Sequence, residues 1–301
     1  MSHWHAAMKA VPASTDSVED SVGAVGPFIR GHLLSGLAGD SPLLYAFDHH
    51  FSTRGKRTRS RLSLHCSAAL GLPDGDAIGL AACVEALHNA SLIQDDLQDG
   101  SEFRRGRAAV WKRFGADDAI CLTNSLLSTA FACLADLSDS AAMPALIRCL
   151  QSAVVETADG QARDLKAGTS RPDPDRSLAS AAEKSGPLFA LALELPLIAA
   201  GQQIHCAAAR AAAVDFGCGY QIIDDLKDLE ADRESGSGSN VVLALEERLE
   251  GTAPARAEAV RLAAALLESA GRHAFRLPHG SGALLVDLAS ALQAQLQAFD
   301  G

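Results

Sequence analysis

Apolar residues recur three and four places apart from about Val22 to the end of the chain, and no stretch shows the period of two that a half-buried strand needs. That pattern restricts the chain to packed helices. Its clearest segments are 77–99, 117–137, 143–167 and 207–229, and the breaks between helices fall at 70–75, 100–115, 168–175 and 235–240, where Gly, Pro, Ser and Asp collect. No linker and no internal repeat divides them. The reading is therefore one all-α domain over residues 22–301, preceded by a loose N-terminus at 1–21, with a mobile loop at 235–240. Hydrophobic residues at 48% are enough to bury a large core, and aromatics at 5% agree with the absence of strands.

Charge and cysteine usage exclude several classes. Lys and Arg number 26 against 37 Asp and Glu, a formal charge of −11, and no basic run is dense enough to follow a nucleic-acid backbone. Seven cysteines (66, 83, 121, 133, 149, 206 and 218) stand singly, with no CxxC and no zinc spacing, as reduced core residues of a cytoplasmic protein do. Residues 1–20 lack the basic and apolar regions of a secretion signal. The longest apolar stretch, 186–201, is too short to span a bilayer and contains Glu194 and Pro196, so it reads as a buried helix and no transmembrane segment is expected.

Two carboxylate clusters carry the chemistry. Asp95, Asp96 and Asp99 form a DDxxD at the end of one apolar helix, and Asp224, Asp225 and Asp228 repeat it far downstream. At helical spacing each set converges on one face, where like charges repel unless a cation sits among them, and hard oxygen ligands suit Mg²⁺. An EF-hand starting at Asp95 fails, because Leu97 and Gly106 would occupy ligand positions. Glu85, His88, Ser91 and Asp95 make a polar stripe leading to the first cluster; Glu85 to Asp99 spans roughly 21 Å of helix, enough to line a deep pocket. Glu85 and His88 match half of a di-iron signature, but no second ExxH exists. Cations flank this element: Gly55-Lys56-Arg57-Thr58-Arg59 opens a helix, and Arg104-Arg105 directly follows the cluster. Mg²⁺ on carboxylates beside paired guanidiniums describes a diphosphate site.

In this order the motifs resemble the all-trans isoprenyl diphosphate synthases, the family of farnesyl and geranylgeranyl diphosphate synthases. Gly55 to Arg59 resembles its GKRxRP box, Glu85 to Gly106 its first aspartate-rich region, Gly160-Gln161 through Asp164-Leu165 its GQxxDL element, Lys184-Ser185 its Lys-Thr pair, and Gly219 to Asp228 its second aspartate-rich region. The likeness covers about residues 22–290. It implies a single large helical bundle around a deep central cavity, a homodimer, and three Mg²⁺ per active site. It also implies that Lys56, Arg59, His88 and Arg105 hold the diphosphate of isopentenyl diphosphate. Arg104, Lys184 with Ser185, and Gln221 would serve the allylic diphosphate and its ionisation; Asp95, Asp96, Asp99 and Asp224 would bind metal, with Asp225 and Asp228 supporting the second cluster.

The chain departs from this pattern in three places. Ser60 stands where GKRxRP has proline, Ser185 replaces threonine, and no lysine follows Lys227, where the family's lid carries several; only Arg233 and Arg248 remain to substitute. The reading is a prenyl-elongating transferase. Its rivals are a class I terpene cyclase-like enzyme, disfavoured by retention of Lys56, Arg59, His88 and Arg105, and a weakly active or regulatory subunit of a heteromeric synthase, motivated by the missing lysines. Product length follows from the positions four and five before the first cluster, where a bulky aromatic closes the family's pocket at fifteen carbons. Here they are Ser91 and Ala90, both small, so a twenty-carbon geranylgeranyl product is expected, with a longer chain as second choice and Phe131 or Leu87 as candidate floors.

Overall fold

The computed structural model describes residues 15–53, 55–167, 173–235 and 240–299. Its contacts gather into two compact units, Met1–Ile147 with Ile198–Gly201, and Arg148–Leu197 with Gln202–Gly301. The all-α expectation holds in both.

The first unit holds α1 (Thr15–Ser35), α2 (Pro42–Phe51), α3 (Thr58–Ala69), α4 (Asp74–Gln98), a short α5 (Val110–Phe114) and α6 (Ala116–Ala135); α1, α3, α5 and α6 pack on α4, and α2 packs on α5 and α6. Every residue of α4 from Gly79 to Leu87 is buried, and the run of Ala and Gly there lets neighbouring helices come close. A Cβ at Gly79 would lie 3.2 Å from the Cys133 carbonyl on α6. α1 begins at Thr15, so part of the stretch expected to be loose is helical, while residues 1–14 lie outside the described residues.

One feature departs from the periodicity. Within the break at 100–115 lies a two-stranded antiparallel hairpin, β1 (Phe103–Arg104) and β2 (Arg107–Ala108). Its turn residues Arg105 and Gly106 have φ of 52° and 75°, the pair of positive values a two-residue hairpin loop needs. Two residues per strand are too few to show any alternation.

α6 is long and apolar enough to cross a membrane by length and composition. Leu122, Leu126, Ala130 and Cys133 are buried, while Ile120 and Cys121 are exposed. Cys121 thus departs from the expectation that the cysteines are core residues; Cys66, Cys83, Cys133 and Cys218 follow it.

The second unit holds α7 (Met143–Ala167) from Arg148 onward, α8 (Pro174–Ala199) up to Leu197, α9 (Cys206–Ser235), α10 (Val241–Leu249), α11 (Thr252–Phe275) and α12 (Ala283–Leu296). α9 packs on α10, α11 and α12. Close approach to α11 requires glycine at 219, where a Cβ would lie 2.8 Å from Leu267. Residues 186–198 of the apolar stretch are a buried part of α8, as read, and Glu194, 4% exposed, is held by Arg210 at 2.9 and 3.1 Å. Arg210 also reaches Glu156 at 2.6 Å. The buried carboxylate is thereby neutralised.

Candidate functional site

In the first unit the basic box, the polar stripe and the hairpin meet. α3 starts at Thr58 with Arg57 in the left-handed region at φ 48° and no side-chain cap, leaving its first N–H groups open to an anion. In the first turn, Arg59 Nη1 lies 3.3 Å from His88 Nε2 on α4. A guanidinium can only donate, so Nε2 accepts and the proton sits on Nδ1. That Nδ1 is buried without a hydrogen-bond partner. Burial, then the charges of Arg59, Arg105 and Arg104, hold the His88 pKa well below its ordinary value, so the ring is neutral. A buried N–H donor beside guanidiniums is a fit for an anionic oxygen.

Gly55 brings the two basic motifs together. A Cβ there would lie 2.6 Å from the Arg105 guanidinium, so only glycine lets Arg105 lie across the GKR backbone. Lys56 is exposed at the same loop.

The first carboxylates divide. Asp95 and Asp99 sit one turn apart, linked by the Asp99 N–H to the Asp95 carbonyl at 2.8 Å, and share a face. Asp96 lies about 100° around the helix. It is 2% exposed, and Arg104 grips it from Nε at 2.8 and 2.7 Å and from Nη2 at 2.7 Å. The hairpin delivers Arg104 to that place.

The second cluster divides the same way. Asp225 accepts from Gln221 Nε2 at 2.8 Å and from the Val241 N–H at 2.8 Å, at the start of α10. Burial pushes its carboxyl up to about 6, against the downward pull of those two donors. Asn240, the cap of α10, bonds the Asp225 carbonyl and Asp232 at 2.9 and 2.8 Å. Asp224 and Asp228 share another face of α9, with Lys227 Nζ 3.7 Å from Asp224. Neither proposed lid substitute is unengaged: Arg233 bonds Glu246 at 2.7 and 2.8 Å and Glu230 at 2.7 Å, and Arg248 lies 3.6 Å from Asp175.

Elsewhere in the motif series, a Cβ at Gly160 would lie 2.9 Å from Glu183, so α7 and α8 touch there. Gln161 is buried, and Asp164 accepts from Ser180 at 2.7 Å. The side chains of Lys184 and Ser185, and the loop residues 236–239, lie outside the described residues. Ala90 is buried, Ser91 turns its hydroxyl back to the His88 carbonyl at 2.8 Å, and Leu87 is buried on the same helix.

Among the described residues no three His, Cys, Asp or Glu side chains gather tightly enough to enclose a metal ion. Mg²⁺ usually takes only one or two carboxylates and fills its shell with water and substrate phosphates, and the pairs Asp95/Asp99 and Asp224/Asp228 each offer two carboxylates on one helix face.

A buried network escaped the motif reading. Ser60 donates to Glu85 Oε2, Asn89 Nδ2 donates to Glu85 Oε1 at 3.1 Å and to its carbonyl at 2.7 Å, and His50 Nε2 donates to Asn89 Oδ1 at 3.0 Å. All four residues are buried. The departure from proline at Ser60 thus supplies a hydroxyl to Glu85. Only the Glu85 stripe hinted at it in sequence.

Residues 40–241 match the family model for polyprenyl synthetase. The chain is 33% identical over 196 residues to the short chain isoprenyl diphosphate synthase of Methanothermobacter thermautotrophicus, covering 64% of this chain and 60% of that protein. It is 35% identical over 174 residues to the geranylgeranyl diphosphate synthase of Mycobacterium tuberculosis, covering 57% and 50%. The matched part therefore spans half to three-fifths of these relatives. The fold resembles that of geranylgeranyl pyrophosphate synthetase from Pyrococcus horikoshii, with a TM-score of 0.79 at 22% identity over 92% of this chain and 97% of that one. An FPP/GFPP synthase from Zymomonas mobilis gives 0.75 at 26% identity over 92% and 97%. With the family model covering residues 40–241, the chain belongs to the polyprenyl synthetase family.

Proposed function

We propose that this chain is a trans-prenyltransferase, a short-chain isoprenyl diphosphate synthase that condenses isopentenyl diphosphate with an allylic diphosphate and requires Mg²⁺. The observation that carries this reading is the anion site of Arg59, Arg105 and the unpartnered His88 N–H, held over Gly55. A cyclase acting on one allylic diphosphate has no use for it. In this reading Lys56, Arg59, His88 and Arg105 orient isopentenyl diphosphate, Asp95, Asp99, Asp224 and Asp228 hold metal, and Gln221 and Lys184 with Ser185 serve the allylic diphosphate. Asp96 and Asp225 act as anchors for Arg104 and for Gln221 and α10. Bound Mg²⁺ would neutralise the departing diphosphate, three ions being the number the family resemblance implies. The apolar lining of α4 keeps water from the allylic cation.

Small Ala90 and Ser91 support a twenty-carbon, geranylgeranyl product. Incubation with isopentenyl diphosphate and allylic partners of ten, fifteen and twenty carbons, followed by product analysis, tests both reaction and length. Ala90→Phe should shorten the product. A wild type that stops at fifteen carbons, or an unchanged distribution in the variant, refutes the length assignment; cyclic hydrocarbon from the allylic substrate alone refutes elongation. The half-exposed apolar face of α6 around Ile120 supports a homodimer. A reducing cytoplasmic setting suits seven cysteines none of which is in a disulfide.

A second reading, a weakly active subunit that needs a partner, is favoured by one observation. Arg233, the nearest replacement for the lid lysines, is committed to Glu246 and Glu230. Turnover by the purified chain alone at a rate no partner raises would dismiss it.

A further inference from the structure

The hairpin residues Arg104, Arg107 and Ala108 line a pocket together with His49, His50, Thr53, Ala109 and Val110. His49 Nε2 donates to the Ala108 carbonyl at 2.8 Å, which places the ring's lone pair on Nδ1. That one lone pair receives both Arg107 Nη2 and Arg113 Nη1, each at 3.2 Å. The Phe114 ring meets His49 edge-on at 5.4 Å between centroids and fixes its plane.

Arg107 has one other acceptor, the Ser52 hydroxyl oxygen, whose own proton goes to the His49 carbonyl at 2.7 Å. Arg113 has one other contact, the Phe114 face at 5.4 Å. Neither guanidinium has a carboxylate partner among the described residues, and the acids nearby are engaged elsewhere: Asp48 with Arg30, Glu102 with Lys112, Asp96 with Arg104. Two full positive charges therefore converge on a neutral imidazole, in a chain whose net charge is −11. Both guanidiniums are exposed, so water screens their mutual repulsion, and an anion between them would add charge-assisted bonds to both forks. Both forks keep N–H groups unused, and Arg104 spends only Nε and Nη2 on Asp96.

We propose that His49, Arg107 and Arg113, with Arg104 as the shared wall, form a second anion site that takes a phosphate-type dianion, separate from the site of Lys56, Arg59, His88 and Arg105. The ligand is a free phosphate or the head of a phosphate monoester, since a planar fork on each side matches a tetrahedral oxyanion. His49 orients the two forks and needs no charge of its own.

The test uses the full chain without Mg²⁺, in a Trp4→Phe background that leaves Trp111 as the only indole. Trp111 precedes Lys112 and Arg113 and bonds the Ser101 carbonyl at 2.8 Å, so it reports on this region. Inorganic phosphate is titrated at ionic strength held constant with chloride, following fluorescence and, in parallel, the phosphorus resonance of the ligand. A saturable response is expected in the parent and in Lys56→Gln/Arg59→Gln, and binding at least about ten-fold weaker in Arg107→Gln/Arg113→Gln. Glycerol phosphate in place of phosphate separates the two sources: tighter binding of the ester points to the head of a larger ligand, tighter binding of phosphate to the free ion. The proposal is overturned if binding vanishes in the Lys56/Arg59 variant but survives in the Arg107/Arg113 variant, or if chloride alone reproduces the response. Because the control variant removes the isopentenyl diphosphate site and leaves this one intact, failure of the functional reading does not decide the outcome.

Discussion

Replacing Asn89 by Ala tests whether the buried chain from His50 to Ser60 is one coupled network. Asn89 makes three bonds, to the Glu85 carbonyl at 2.7 Å, to Glu85 Oε1 at 3.1 Å and from His50 Nε2 at 3.0 Å. Truncation leaves two buried groups without their partner, a carboxylate oxygen and an imidazole N–H. Each costs about 1–3 kcal/mol when stranded, so the variant should lose roughly 3 kcal/mol of stability. Urea unfolding followed by circular dichroism measures this, and a double-mutant cycle identifies its source. In a His50→Ala background the stranded imidazole no longer exists, and the cost of Asn89→Ala should fall by at least about 1 kcal/mol. A loss below about 1 kcal/mol for the single variant, or strict additivity in the cycle, would show that these contacts are not a coupled network.

Three further outcomes follow from the same geometry. Asp95→Ala and Asp224→Ala should each abolish most incorporation of labelled isopentenyl diphosphate while the helical dichroism stays unchanged; near-normal turnover in both refutes the metal assignment. Arg59→Ala should raise the KM for isopentenyl diphosphate far more than that for the allylic substrate, measured by initial rates with each substrate varied in turn. Burial holds the His50 pKa down, from 6.5 to about 4. Its folded form resists the proton that the unfolded chain accepts, so stability present above about pH 6.5 is lost as pH falls to about 4, by roughly 3 kcal/mol, and His50→Gln should flatten that part of a stability-against-pH curve.

Much of the fold is written locally. The 143–167 periodicity coincides with α7 residue for residue, and the segments at 77–99, 117–137 and 207–229 lie on α4, α6 and α9 with ends shifted by a few residues. Ends shift because caps are set by contacts from elsewhere, as when Asn240 caps α10 while bonding Asp225 on α9. The hairpin escaped notice because its signal is one Arg-Gly turn, not a pattern.

The site was legible as residue types and less so as roles, and the aspartate clusters show why. Adjacent residues on a helix point about 100° apart, so Asp95 and Asp96 cannot both face one ion as Asp95 and Asp99 do, and the same holds for Asp224 and Asp225. Spacing alone identifies which aspartate pairs share a face. It does not say that the odd member is buried, nor that Arg104 in one case and Gln221 with the Val241 N–H in the other will occupy it. Those partners arrive through a hairpin and through the start of the next helix, both decided by tertiary packing. The two DDxxD motifs thus share one arrangement: two carboxylates a turn apart on one helix face, and a third turned inward, onto Arg104 in one case and onto Gln221 and the Val241 N–H in the other.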